Sequence, residues 1–452
     1  MRRSALQKDW TKGSVAGNLW SLAWPIIITQ SLNMAGPTID MIWVGRLGAA
    51  AIAGVGLSGM VVQMINAIMM GLTTGMRAMI ARLVGAGDHE GANHVARQAF
   101  TVSGLFAVIV AITGTFFAEN ILMLFELEAD VVVEGVAYMR IMFIGSAAMS
   151  FRMMGEGIMQ ASGDTRTPMR IAIGYRIFHV ILAPFLIFGW WIFPSLGVSG
   201  AAVTNVISQG LGLAVGMWIL FSGRSRLHLS LGNFRFAPDI IWRIVRIGIP
   251  AAVTGMQRNL AQLALMWIIS PFGTLAVAGH TLTQRIESVM AMPGAALGSA
   301  SGVLGGQNLG ASQPERAARG GWLAVAFAEA IMVTFSIVIA IWAEQIIGIF
   351  SPEPEVVAVA SQFLRIAAIG YLGFGFVIVL QQCLAGMGDT IPAMTVSLTT
   401  QWLLQLPLAY ILPKVTGLGV LGVRWPMAGR MLVSGFIYGT YFKLGRWKNK
   451  KV

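Results

Sequence analysis

PIIITQSLNMAGPTIDMIWVGRLGAAAIAG, residues Pro25–Gly54, is an apolar helical stretch that meets a glycine turn and re-enters an apolar run. Shifted by 225 residues, the chain reads PAAVTGMQRNLAQLALMWIISPFGTLAVAG, Pro250–Gly279. Pro25 falls on Pro250, Gly48 on Gly273, Ala51 on Ala276, and Ala53-Gly54 on Ala278-Gly279. The same shift carries Gly85-Ala86 onto Gly310-Ala311, Glu90 onto Glu315, Glu119 onto Glu344 and Phe125 onto Phe350. It also carries Val131-Val132 onto Val356-Val357, Arg140-Ile141 onto Arg365-Ile366 and Ile144-Gly145 onto Ile369-Gly370. Gly163-Asp164-Thr165 falls on Gly388-Asp389-Thr390. A register held over this length marks a duplicated unit.

Composition says what solvent the unit faces. Of 452 residues, 56% are hydrophobic and 11% charged, and mean hydropathy is +0.73. A soluble domain carries roughly 25% charge, so most of this surface is not built for water. Runs of about 20 apolar residues span a bilayer core. Twelve such spans are expected, near 17–41, 51–75, 98–118, 136–160, 169–193, 199–221, 246–270, 276–301, 320–342, 359–385, 391–412 and 420–443. The fold class is therefore an all-α polytopic membrane protein with twelve transmembrane helices in two pseudo-symmetric six-helix lobes. The lobes are expected at 1–221 and 246–452, joined by a polar linker at 222–245. Six spans per copy make the repeats parallel, related by an axis along the membrane normal. Transporters of this build hold substrate at the repeat interface and rock one bundle against the other. The N-terminus lacks the short apolar core of a cleavable signal. Cys383, a single cysteine, excludes an intrachain disulfide and a Cys-based metal cluster.

Charge alternates along the chain. Basic groups mark the N-tail (Arg2, Arg3, Lys8, Lys12) and the second, fourth, sixth and eighth connections, including Arg77, Arg166, Arg224 and Arg316. They also mark the C-tail (Lys443, Arg446, Lys448, Lys450, Lys451). The other side has Arg46 and Lys414, with Arg424 nearby, and the acids Glu119, Glu126, Glu128, Asp130, Glu344, Glu353 and Glu355. Lys and Arg orient short loops toward the cytoplasm. Both termini are expected inside a cell (inner or plasma) membrane. The net charge of +12 then needs no nucleic-acid partner, and the partner is the lipid bilayer.

An ionisable group in a bilayer core is a functional candidate by default. Asp40 and Asn33, seven residues apart, share one face of the first helix. Gly36-Pro37 lies between them, and proline frees a carbonyl one turn back. Pro25, Gly36 and Pro37 are the hinge candidates. Low dielectric disfavours a charged carboxylate, so such a group can load and release a proton, or hold Na⁺ with neighbouring carbonyls. The other reading of Asp40 is a water-facing acid near the outer end of its span, paired with Arg46. Arg152 and Glu156, four apart, are placed to pair. Arg285 and Glu287, two apart, can pair only across helices. Asn66, Asn205, Gln209, His179 and His280 are candidates to line a cavity, with Arg258, Arg285 and Glu287 beside them. Glu329 faces either the bundle interior or a lobe surface. The two GDT turns read as helix caps through Asp164 and Asp389. The stretch GVLGGQNLG, Gly302–Gly310, has no phosphate-loop GK[ST]. No base and nucleophile accompany these features, so no enzyme activity, cofactor or metal site is expected beyond a coupling ion at Asp40.

The set of motifs resembles a known family. Pro25, DMIWVGRLG (Asp40–Gly48), AIAG, ARLVGAGD and QASGDTRTP in the first half are followed by Pro250, LAVAG, QRIESVMAMPG, GGQNLGA and AGMGDTIP. This is similar to the multidrug and toxic compound extrusion (MATE) family from about residue 15 to 440. The resemblance implies a monomeric antiporter, with two six-helix lobes in alternating access, that exports small amphipathic, often cationic, organic compounds against H⁺ or Na⁺. Asp40 stands at the family's first-helix coupling acid, and Asn205 at a polar sixth-helix position of that pocket. In the fifth helix many relatives carry Asn and, four residues later, Asp before Pro. Here His179 and Ala183 stand there, before Pro184, with His179 as a titrating substitute. NorM-type members carry acids in the seventh helix, near Arg258, and in the tenth, which is acid-free here. The resemblance is closer to the DinF-type branch. The intramembrane arginines keep one alternative open, a flippase for a lipid-linked substrate of the same superfamily.

Overall fold

The computed structural model describes residues 8–123, 129–230, 232 and 234–450. Arg2, Arg3, Phe125, Glu126, Glu128 and Lys451, which served the orientation and repeat arguments, lie outside these residues. The described chain is helical: α1 Val15–Val44, α2 Ala49–Gly85, α3 His89–Met123, α4 Ala129–Ile144, α5 Ser146–Ala161, α6 Arg166–Phe188 and α7 Gly197–Phe221. It continues as α8 Pro238–Ile269, α9 Thr274–Gly310, α10 Pro314–Gly348, α11 Pro354–Gly386, α12 Thr390–Leu398, α13 Leu406–Val415 and α14 Leu421–Leu444.

These segments make twelve passages, because two passages are broken. The fourth bends by 47° between α4 and α5. Gly145 stands at the break, and its missing Cβ leaves the space to the Val206 side chain of α7. The eleventh passes from α12 to α13 through a π-helical segment, Thr399–Gln405. Proline at 407 has no N–H for the helical ladder. Thr399 and Thr400 each turn their hydroxyl back onto a carbonyl one turn earlier, at 2.8 and 2.7 Å. The expectation of two uninterrupted helices here is corrected for these reasons.

Seven helices (α2, α3, α6, α7, α9, α10 and α11) are each long and apolar enough to cross a membrane, and the bent pair makes an eighth. The other four passages are diluted by polar groups or divided. Asn33 and Asp40 sit in α1, Gln257, Arg258, Asn259 and Gln262 in α8, and Arg424 and Arg430 in α14.

The chain forms two compact units, one holding Trp24–Ala252 and the other Trp10–Ala23 with Val253 onward. The polar stretch 222–245 falls in the first. It is tied to α3 by Arg97 to the Gly232 carbonyl at 3.0 Å and by Gln98 to the Arg235 carbonyl at 2.7 Å. The repeat is visible in the packing of each unit. Val44, Ala51, Ala183 and Ala201 share the core of the first unit. Ile269, Ala276, Ala409 and Val423 share a core in the second. Ion pairs repeat as well: Arg140–Glu119 at 3.6 Å and Arg365–Glu344 at 3.0 Å are each other's image under the 225-residue shift. The two GDT turns differ. Asp164 accepts the Thr167 N–H at 3.1 Å, as a cap does. Asp389 instead accepts from the Tyr441 hydroxyl at 2.6 Å and lies 3.7 Å from Lys450.

Candidate functional site

Each helix of the first unit that carries the site supplies two polar residues at helical spacing: Asn33 and Asp40 on α1, Arg152 and Glu156 on α5, Tyr175 and His179 on α6, Asn205 and Gln209 on α7. Spacings of four and seven bring each pair onto one face. The packing joins the faces into one network.

Asp40 is 2% exposed and His179 1%. Asp40 Oδ1 lies 3.1 Å from His179 Nε2, and Oδ2 accepts from Asn205 Nδ2 at 3.3 Å. The reading of Asp40 as a water-facing partner of Arg46 is corrected. Arg46 is exposed and stands over the Trp43 ring at 5.0 Å. Asn205 Oδ1 accepts from Gln209 Nε2 at 2.5 Å. Gln209 Oε1 faces Arg152 Nη2 at 3.5 Å, and Arg152 Nη1 pairs with Glu156 at 2.5 Å. On the other flank, the Tyr175 hydroxyl donates to Asn33 Oδ1 at 2.5 Å.

His179 Nδ1 faces Arg176 Nη1 at 3.5 Å. A guanidinium only donates, so that nitrogen is the acceptor and the neutral ring carries its proton on Nε2, toward Asp40. Tyr175 lies between two cations, with Arg152 at 4.8 Å and Arg176 at 5.4 Å from its ring. Gly36 makes room for Arg176, since a Cβ there would overlap its guanidinium. The formal charges of Asp40 and Glu156 are matched in number by Arg152 and Arg176. The arrangement can hold a proton between a carboxylate and an imidazole and report its presence through a line of amides to a second carboxylate.

The remaining candidates lie elsewhere. Asn66 is half-buried on α2 with no hydrogen bond to this network. In the second unit, Glu287 pairs with Arg424 at 2.7 Å, and Arg424 reaches His280 Nδ1 at 3.2 Å. Arg285 is exposed, as is Arg258. Glu329 accepts the Phe376 backbone N–H at 2.9 Å. Leu265, the image of Asp40, packs in an apolar core. Pro25 and Pro37 both lie inside the single helix α1, and the Thr29 hydroxyl donates to the Pro25 carbonyl at 2.9 Å.

Sequence reasoning missed Tyr175 and Arg424. Tyr175 stands four residues before His179, so their shared face was available. Arg424 was read as a charge near the outer side, but it is 1% exposed and pairs inside the unit. Its signal is an arginine set among apolar residues in the first turn of a membrane-length helix.

Comparison with known proteins gives one family. Residues 25–185 and 250–411 match MatE. A probable multidrug resistance protein NorM of Thermotoga maritima is 26% identical over 440 residues, 96% of this chain and 93% of its own. An FAD transporter of Shewanella oneidensis is 26% identical over 397 residues, 87% of each chain. Among solved structures, a MOP superfamily transporter from Pyrococcus furiosus, whose reverse binding-pocket polarity is said to suggest a different function, has a TM-score of 0.91. It is 23% identical and covers 99% of both chains.

Proposed function

This chain belongs to the MatE family, and on that premise we propose that it exports small amphipathic organic compounds across a cell membrane by alternating access, driven by cation antiport at Asp40. The observation that carries the reading is a carboxylate 2% exposed inside a membrane helix, 3.1 Å from an imidazole of another helix. Such a group is costly unless it is used. The relatives named for multidrug resistance and the FAD transporter support an organic substrate.

The coupling ion is H⁺ in this reading. Na⁺ is a hard cation and takes oxygen ligands, whereas both Asp40 oxygens face nitrogens, of His179 and Asn205. Leu265 opposite Asp40 in the repeat, and a tenth passage acid-free beyond its first turn, support a DinF-type arrangement with coupling in the first unit. The protein acts as a monomer with both termini in the cytoplasm, as the loop charges suggest.

The deciding experiment is efflux from proteoliposomes under an imposed pH or Na⁺ gradient. Export driven by the pH gradient and lost in Asp40→Asn is the expected result. Equal transport by that variant would remove Asp40 from the mechanism. The arginines in the second unit favour one rival, a lipid flippase, which a lipid-scrambling assay on the same proteoliposomes separates.

A further inference from the structure

The two units treat charge differently. In the first, the intramembrane acids and arginines are equal in number and lie in one network. In the second, α8 and α14 carry three arginines (Arg258, Arg424 and Arg430) and α9 carries Arg285, against two carboxylates, Glu287 and Glu329. Four positive charges less two negative leave +2. Glu287 is already committed to Arg424 at 2.7 Å. The unit's other intramembrane acid, Glu329, is turned to the backbone of α11.

Arg258 has no hydrogen-bond or ion-pair partner among the described residues. Among the described residues Arg430 donates only to the Met431 sulfur, at 3.5 Å, and its Nε has no acceptor. Leu265 of α8 and Val423 of α14 share one apolar core, and each arginine lies seven residues from its core residue on the same helix face. Neither is aimed outward by its helix. Arg258 is seven residues from Leu265, a core residue of this unit, and so shares its face. The exposed Leu260, Leu263 and Trp267 fall on the opposite face of α8. Arg430 is seven residues from the buried Val423 and four from the buried Pro426 and Ser434. Arg258 is nevertheless exposed, and Arg430 is half-buried.

Unpaired cations at membrane depth are expensive, and two guanidinium forks match the oxygens of a carboxylate, sulfonate or phosphate. We infer that Arg258 and Arg430 form an anion-binding site in the C-terminal unit, which takes the charged end of an amphipathic organic anion. This deepens the export reading above, on which it rests for the word substrate, and sets the substrate class as anionic rather than cationic.

The test uses the full-length protein in phosphatidylcholine nanodiscs with 2-naphthalenesulfonate as probe and 2-naphthyltrimethylammonium as its cationic counterpart. The sulfonate should bind and the cation should not. Arg258→Gln and Arg430→Gln should each weaken the sulfonate roughly tenfold, the loss of about one charge-assisted hydrogen bond. Arg→Lys at either position should lose less. The exposed Arg319→Gln, the same charge change elsewhere, should bind as wild type. If a glutamine variant is not monodisperse, the lysine variant at that position carries the comparison. Repeating the titration with phosphatidylglycerol in the disc separates sources of the anion. Unchanged binding assigns the site to soluble anions, and competition assigns it to an anionic headgroup, with the arginine dependence kept in both. Equal binding of both probes, or sulfonate affinity within twofold of wild type in both arginine variants, overturns the inference. Asp40→Asn should keep sulfonate binding while losing gradient-driven efflux. Gradient-driven efflux that ignores both arginines sinks this site and leaves the export reading standing. Absence of efflux with intact sulfonate binding does the reverse.

Discussion

Asp40 and His179 face each other at 3.1 Å between α1 and α6, both almost fully shielded from solvent. Neither Oδ1 nor Nε2 makes a hydrogen bond of good geometry to any described residue, so the two form a close polar contact with no other partner to satisfy them. A proton placed between them would therefore bear on the packing of the two helices.

Asp40→Asn keeps the shape and one hydrogen-bonding oxygen but cannot ionise. The variant should insert and purify as wild type. Its pH-driven efflux should fall at least about tenfold, since even one charge-assisted hydrogen bond is worth about 1.5–3 kcal/mol. Transport at the wild-type rate would contradict the role given to Asp40.

His179→Gln leaves an N–H donor for Asp40 but removes a side chain that can take up a second proton. Efflux should persist with a changed pH profile. A profile that superimposes on wild type would show that His179 only positions the carboxylate.

Arg152 and Glu156 are both 7% exposed and pair at 2.5 Å. Removing one partner of a buried pair costs about 3–5 kcal/mol, whereas replacing both with apolar groups is often close to neutral. Arg152→Met and Glu156→Leu should each lower the thermal midpoint, and the double variant should recover most of the loss. Additive losses in the double variant would mean that the two side chains do not act as a pair.

Gly36→Val places a side chain where the Arg176 guanidinium lies. Arg176 must leave His179 Nδ1, so transport should drop while the thermal midpoint shifts by no more than a few degrees. Gly36→Val in an Arg176→Ala background should be nearly silent on transport, which a purely local helix defect would not be.

The repeated pairs Arg140–Glu119 and Arg365–Glu344 are 43–58% exposed. Exposed pairs contribute about 0–1 kcal/mol and are screened by salt. Arg140→Ala and Arg365→Ala should each change stability by less than about 1 kcal/mol, with no change in efflux. Any larger, salt-insensitive loss would mean that these repeats carry more than surface charge.

The sequence by itself determined the frame. Apolar runs of bilayer length, the alternation of basic loops and a register of 225 residues require twelve passages in two copies, because these signals are local or strictly periodic. It also singled out Asp40, since a carboxylate in an apolar helix stands out without any partner. The tertiary structure decided what Asp40 meets. His179 and Asn205 lie 139 and 165 residues away along the chain, and no local pattern encodes which helix faces turn inward together. The break at Gly145 depends on Val206 in another helix, and the π segment before Pro407 on how its neighbours pack. The burial of Arg424 was equally hidden, because hydropathy counts an arginine as a cost and cannot see the Glu287 that receives it. The duplication fixed where the helices run, and packing fixed which copy carries the acid and which the unpaired arginines.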